Sequence, residues 1–327
     1  MKAILATEFG GTECLKYKDV DIPEIENDEV LIKVVKTSVN FADIKARYGK
    51  KGATLPFIPG LDAAGYIEKI GSSVSELQVG QRVIAFPKKG SYAEYVVASD
   101  KLVFLIPDSL DFRTAAACPT VTFLSHRLLY NIAQIQKGES VLVHAAAGGV
   151  GTTAIQLAKL MGAEKVIGTV GNKEKVKIAE ESGADFVICY EEEEFDSKVN
   201  ELTEGQGVDI ILDSVSGSVT EKSLNCLAPY GRLVHFGNSS GTIGKIKTID
   251  LHSSCRAVLG FSLGTTRKQK PHLLKETAGA VIPYLVNNQL KIIVGHEFTL
   301  KDAAKAHDVI EKRLNIGKIV LNVTDED

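Results

Sequence analysis

From Glu139 to Asn238 the sequence alternates between short apolar runs and amphipathic segments, and this constrains the fold more than any other feature. "ESVLVHAA" reads as a strand and "GVGTTAIQLAKLMG" as a helix; "EKVIGTVG" and "KEKVKIAEESG" repeat the pair, as do "FVICY" and "FDSKVNELTEG". "VDIILDSV", the helical "VTEKSLNCLAP" and a last strand "GRLVHFGN" close the array. The apolar runs are solid rather than alternating, which suits a parallel sheet covered on both faces. Strand–helix alternation at this spacing specifies a doubly wound α/β domain.

The flanks differ. The first third is β-rich: "EVLIKVVKTSVN", "AAGYIEKIG", "QRVIAF" and "SYAEYVVAS" read as strands punctuated by Gly and Pro. Two helices are expected next, around Phe112 to Cys118 and Phe123 to Gln134. Beyond Gly260 the alternation fades into a long helix ("LLKETAGAVIPYLVNNQL"), a strand ("KIIVGHEFTL"), a helix ("KDAAKAHDVIEKR") and a final strand ("GKIVLNV") that return to the first domain. A chain of 327 residues is too long for one ordinary core, so two domains are expected.

Composition narrows the function. With 44% hydrophobic and 24% charged residues the chain reads as soluble and globular. A net charge of -3 with no long basic tract argues against nucleic acid as a partner. No apolar run is long enough to span a bilayer, and "MKAILATEFGG" does not read as a signal peptide, so a cytoplasmic location is expected. The five cysteines are scattered and none forms a CxxC pair, so neither a disulfide framework nor a paired-cysteine zinc site is expected. The acidic run Glu191 to Glu194 reads as a solvated helix start.

The stretch "VHAAAGGVG", Val143 to Gly151, joins the first strand of the array to its first helix. A dinucleotide pyrophosphate needs a turn whose backbone comes close, followed by a helix N-terminus offering unpaired N–H groups. In the pattern GxGxxG the three positions are Ala146, Gly148 and Gly151, so the first glycine is an alanine. At the end of the next strand, where an acid would bind the ribose 2′-hydroxyl of NAD, stand Val170 and Gly171, followed by Lys173 and Lys175. A position without a carboxylate and with cations nearby tolerates a 2′-phosphate, which favours NADPH over NADH.

With these residues in view the chain resembles the medium-chain dehydrogenase/reductase superfamily, and within it the zinc-free, zeta-crystallin-like NADPH:quinone oxidoreductases. The matching segments span nearly the whole length: "SVNFADIKARYG", "PGLDAAGYI", "VGQRVIAF", "GSYAEYVV", "VHAAAGGVGTTAIQLAK", "DSVSG", "HFGNSSG" and "GKIVL". The resemblance implies a GroES-like β-barrel catalytic domain over residues 1–122, completed by 263–327, and a Rossmann NADP-binding domain with a doubly wound parallel sheet over 123–262. It implies a homodimer, with "GRLVHFGN" or "CRAVLGFSL" as candidate edge strands.

The resemblance also nominates site residues. Zinc-dependent members place a cysteine where this chain has Asn40 and a His-Glu pair where it has Leu61 and Asp62; Cys118 lies near the third ligand's region. Leu61 has no donor atom and an amide is a poor zinc ligand, so no metal is expected. Without a Lewis acid, alcohol oxidation is disfavoured; an electron-poor acceptor, a quinone or an enone, needs no metal. Asn40 matches the asparagine beside the nicotinamide. Ala147, Gly148, Gly149 and Val150 match the pyrophosphate turn; Gly171, Lys175 and Tyr190 match positions around the 2′-phosphate. Ser214 and Val215 follow the fourth strand, Phe236, Gly237 and Asn238 match a segment passing the nicotinamide ribose, and Phe261 and Ser262 are expected beside it. Arg313 resembles a C-terminal basic residue aimed at the cofactor in some members.

Two departures bear on substrate. A threonine common in the helix after the proline is replaced by the stretch Leu124, Ser125, His126, and Lys45 stands where some quinone reductases have tyrosine, with Tyr48 three residues on. Lys45 and Tyr48 are the candidate proton donors, with solvent as the equal alternative. Asp43 is expected to bond the helix start near Asn40. His144 and His235 are expected to be structural, and His126 to face the domain boundary. Two further readings stay open: an enone, alkenal or enoyl-thioester reductase, for which Lys50, Lys51, Lys88 and Lys89 would offer a basic channel, and a low-turnover NADPH-binding sensor.

Overall fold

The computed structural model describes residues 1–50 and 52–324, which divide into two compact units. One comprises residues 1–50, 52–121, 265–288 and 292–324, the other residues 122–264 and 289–291.

The chain begins with β1 (Lys2–Ala6) and β2 (Leu15–Asp19), an antiparallel pair absent from the sequence expectation. β3 (Glu29–Val39), α1 (Phe41–Arg47), β4 (Asp62–Ile70), β5 (Arg82–Ala85), β6 (Tyr95–Ser99) and β7 (Val103–Leu105) follow. β3 pairs antiparallel with both β4 and β6. α2 (Phe112–His126) comes next and runs on as a π-helical turn over Arg127–Ala133.

The two helices expected here are therefore one. Pro119 lies inside α2 and has no N–H to give the Ala115 carbonyl. The Cys118 thiol supplies the missing donor, its Sγ lying 3.4 Å from Ala115 O.

The array appears as β8 (Ser140–Val143), α3 (Gly149–Leu160), β9 (Lys165–Val170), α4 (Val176–Glu181), β10 (Phe186–Cys189), α5 (Phe195–Leu202), β11 (Val208–Asp213), α6 (Ser218–Ser223), β12 (Leu227–His235), α7 (Ile249–His252) and β13 (Ala257–Gly260). Its six strands run in the order β10-β9-β8-β11-β12-β13, every pair parallel. This is the doubly wound sheet the alternation implies, with its order reversing at β8. Leu142, Ile167, Ile188, Ile211 and Leu233 pack in one core cluster of this sheet.

The chain closes with α8 (Leu263–Gln269), α9 (His272–Val286), β14 (Val294–Thr299), α10 (Ala303–Glu311) and β15 (Lys318–Asn322). β15 pairs antiparallel with β3, so the C-terminal strand joins the N-terminal sheet, whose order is β14-β15-β3-β4-β5-β7. Val30, Ile32, Val34, Ile67, Val83 and Val96 form its core. Among the described residues no helix is long and apolar enough to cross a membrane.

Candidate nucleotide site and buried polar centre

In the doubly wound unit the nominated residues collect at one edge. Ala147 to Val150 follow β8, Gly171 follows β9, Tyr190 follows β10, and Ser214 and Val215 follow β11. Phe236, Gly237 and Asn238 follow β12, and Phe261 and Ser262 follow β13. All the strands are parallel, so these segments share the carboxyl edge of the sheet, where open α/β sheets bind ligands.

The turn after β8 is tightly built. His144 N–H bonds Leu212 O at 3.2 Å and Ala146 N–H bonds Thr169 O at 2.9 Å, which ties the turn to both neighbouring strands. Ala145 adopts φ of 54°, the left-handed region. Gly148 caps α3, and the first helical bond shown is Thr152 N–H to Gly148 O at 2.9 Å. The amides of Gly149, Val150 and Gly151 precede it and have no intrahelical acceptor. A Cβ on Gly151 would lie 2.6 Å from the backbone of Ala146, so a side chain there would force the helix off the turn. The Thr152 and Thr153 hydroxyls are turned back, to Gly148 O at 3.1 Å and Gly149 O at 2.8 Å. The anion cradle is backbone, and its shape fits a dinucleotide pyrophosphate.

The alanine at the first glycine position has a local cause. A Cβ on Gly168 of β9 would come 2.7 Å from Ala146 Cβ. The neighbouring strand omits the side chain that the turn has gained.

Gly171 and Tyr190 are brought together: a Cβ on Gly171 would lie 2.6 Å from the Tyr190 hydroxyl. Lys175 closes a short 3₁₀ turn whose cap, Asn172, accepts the Lys175 N–H at 3.2 Å. Lys173 is engaged with Glu192 at 2.7 Å. After β11, Asp213 is buried and accepts the amides of Val215 at 2.8 Å and Ser216 at 3.0 Å, and the Thr220 hydroxyl. The Ser214 and Val215 carbonyls accept from Ser239 and Ser240, each at 3.0 Å, which joins the segments after β11 and β12. Ser125, at the departure from the family threonine, donates to Val150 O at 3.3 Å, so it lies against the turn.

The histidines divide. His144 is buried between Thr169 Oγ1 and Ser223 Oγ, both at 2.9 Å, and burial lowers its pKa to about 4. Burial likewise lowers His126 to about 4. His235, expected to be structural, is partly exposed at the end of β12, its Nδ1 lying 3.3 Å from Asp213 Oδ2.

The barrel unit holds the other candidates around α1. Asn40 caps its N-terminus and Tyr48 its C-terminus, so Asn40 and Tyr48 are a helix length apart. Tyr48 is exposed and donates to Glu311 at 2.7 Å, a bond that raises the phenol pKa. Lys45, in the last turn, stands over the Phe41 ring at 5.5 Å. Arg313 belongs to this unit too, exposed, with φ of 56° beyond α10. Lys88, one of the lysines of the imagined basic channel, is bonded to Glu29 at 2.8 Å and Glu26 at 3.2 Å; Lys51 lies outside the described residues.

Asn40 sits in a buried polar centre that the sequence reading did not assemble. Asp43 Oδ2 accepts the Asn40 amide N–H at 2.8 Å, the helix-start bond expected of it, and the Tyr92 hydroxyl at 3.0 Å. Burial raises the Asp43 pKa to about 7. The Asn40 carboxamide gives Nδ2–H to Asp62 Oδ2 at 2.8 Å and accepts Lys318 Nζ on Oδ1 at 2.7 Å. Ser38 Oγ donates to Asp62 Oδ2 at 2.8 Å and Thr120 Oγ1 to Asp62 Oδ1 at 2.5 Å. The missed residue is Lys318, the lysine of "GKIVL", visible in the sequence only as one cation in a closing strand.

Zinc does not fit this centre. Both groups of the Asn40 amide are engaged, Leu61 offers no donor, and a buried ammonium already stands against Asn40 and Asp62. A metal dication there would meet a like charge in a dry site.

The chain matches two family models, the alcohol dehydrogenase GroES-like domain over residues 26–108 and the zinc-binding dehydrogenase over residues 149–279. Quinone oxidoreductase of Rattus norvegicus is 35% identical over 327 residues, covering 98% of this chain and 97% of its own length. That of Pseudomonas aeruginosa is 36% identical over 328 residues, covering 98% and 99%. The solved structure of Escherichia coli quinone oxidoreductase complexed with NADPH superposes with a TM-score of 0.92 at 31% identity, covering 99% of this chain and 100% of that one.

Proposed function

The chain belongs to the quinone oxidoreductase family of the medium-chain dehydrogenase/reductase superfamily, and on that premise we propose that it transfers a hydride from NADPH to a quinone-type acceptor without a catalytic metal. The observation that carries the cofactor assignment is the tight turn into α3, where a Cβ on Gly151 would collide with the backbone of Ala145 and Ala146. The quinone assignment draws on the full-length similarity to quinone oxidoreductases.

When bound, NADPH supplies the hydride. The Gly149, Val150 and Gly151 amides hold the pyrophosphate, with Ala147 and Gly148 shaping the turn. Gly171, Lys175 and Tyr190 receive the 2′-phosphate. Ser214 and Val215 with Phe236, Gly237 and Asn238 would line the nicotinamide ribose, with Phe261 and Ser262 beside it; Arg313 and Asn40 are the further cofactor contacts that the family resemblance assigns. The protein's contribution is orientation and exclusion of water. Tyr48 and Lys45 lie at the C-terminal end of α1, away from Asn40, which favours solvent as the proton source.

The acceptor is a small quinone. The engagement of Lys88 with two glutamates weakens the case for a basic channel suited to an acyl thioester. β13 is an edge strand, paired on one side only with β12, and we assign it to a homodimer that continues the sheet. The free thiols suit the reducing cytoplasm. Purified protein given NADPH and a panel of quinones and enones tests the assignment: quinone-dependent NADPH oxidation supports it, and a protein inert to every quinone overturns it.

A further inference from the structure

Lys318 is 4% exposed, yet its ammonium is fully matched to acceptors. Its three protons meet Val39 O at 3.1 Å, Asn40 Oδ1 at 2.7 Å and Asp62 Oδ2 at 3.5 Å. The lysine reaches Asn40 from β15, a strand held against β3 by the register Ile319 to Val39. Lys318 Nζ donates to Asn40 Oδ1 and Asp62 Oδ2 accepts from Asn40 Nδ2, and together they leave the Asn40 amide a single orientation. Oδ1 faces the lysine. One Nδ2 proton goes to Asp62, and the second is the group left to meet a ligand.

We propose that Lys318 is a positioning residue of this centre: it locks the Asn40 carboxamide so that Asn40 presents an N–H donor, suited to a carbonyl oxygen, and not an acceptor. Asp62 completes the clamp, and Ser38 and Thr120 hold Asp62 in place. The consequence for turnover rests on the reading of Asn40 beside the nicotinamide; the orientation of Asn40 does not.

The test uses the full chain labelled with ¹⁵N-asparagine. The Asn40 side-chain signals are identified by their loss in Asn40→Ala. In the wild type the two Nδ2 protons give a well-separated pair, one of them shielded from solvent exchange by Asp62. In Lys318→Met that pair collapses toward the positions of exposed asparagines. The double variant Lys318→Met/Asp62→Asn removes both charges together and guards against misfolding, checked by circular dichroism. It is expected to lower kcat for quinone at least tenfold while NADPH affinity stays within threefold. In an Asn40→Ala background the Lys318 substitution is expected to cost nothing further. An unchanged Asn40 signal pair in folded Lys318→Met overturns the proposal, as does full additivity of the Asn40 and Lys318 effects. A wild type that turns over no quinone overturns the functional reading instead and leaves the spectroscopic arm standing.

Discussion

Ala146, in the turn after β8, and Gly168, in the neighbouring strand β9, are complementary: the methyl group of one occupies the space that a missing side chain leaves on the other, a Cβ at Gly168 coming within 2.7 Å of Ala146 Cβ. Gly168→Ala is therefore expected to overpack the turn and destabilise the protein by about 1–3 kcal/mol. Ala146→Gly/Gly168→Ala exchanges the two and is expected to recover most of that loss. Urea unfolding of the three variants checks it; an unaffected Gly168→Ala would refute the contact.

Gly151 makes a stricter demand, because its neighbours are backbone atoms that cannot turn aside. Gly151→Ala is expected to weaken NADPH binding at least tenfold, measured by the fluorescence of the bound cofactor. Binding within twofold of wild type would show that the turn does not hold the pyrophosphate.

Tyr190 and Lys175 are the residues proposed to meet the 2′-phosphate that distinguishes NADPH from NADH. Lys175→Ala is expected to weaken NADPH at least tenfold and NADH by less than twofold, since only NADPH brings a phosphate to that end of the sheet. Equal losses for both would remove Lys175 from the 2′-phosphate site.

Acid is expected to destabilise the fold through its buried histidines. Burial lowers His144 to about 4 and His307 to about 3 from the ordinary 6.5. The unfolded chain then binds more protons below pH 6.5, so stability is intact above 6.5 and declines as pH falls toward the folded values, by up to about 1.4 kcal/mol per pH unit for each histidine. Asp43, raised to about 7, acts oppositely: its contribution declines as pH rises from about 4 to 7. In His144→Asn the urea midpoint is expected to fall less steeply between pH 6.5 and 4 than in wild type. An unchanged slope would mean that His144 is not held neutral.

Tyr48→Phe is expected to keep kcat within twofold, because the phenol is bound to Glu311 at the end of α1 opposite Asn40. A loss of tenfold or more would restore Tyr48 as proton donor.

The doubly wound sheet was legible because its signal is local: solid apolar runs such as "VDIILD" and intervening amphipathic helices declare themselves residue by residue. β1 and β2 were not, because each is five residues long and β2 has one buried side chain, Leu15. The single helix α2 was hidden by Pro119, whose breaking tendency is offset by a thiol no periodicity reports. At the site, the glycine turn could be read from spacing alone. The Asn40–Asp62–Lys318 cluster could not, since 278 residues separate Asn40 from Lys318 and only the return of β15 to β3 brings them together. Ala146 looked like a defect in a motif until the strand beside it supplied Gly168.

The most direct measurement is the initial rate of NADPH oxidation by the purified protein with a small benzoquinone, set against the same assay with NADH and against an α,β-unsaturated ketone. Rapid oxidation of NADPH that requires the quinone, at least tenfold more efficient than with NADH, persisting in the presence of a zinc chelator, is the result the account predicts. No quinone-dependent oxidation of either cofactor, or activity abolished by the chelator, would contradict it.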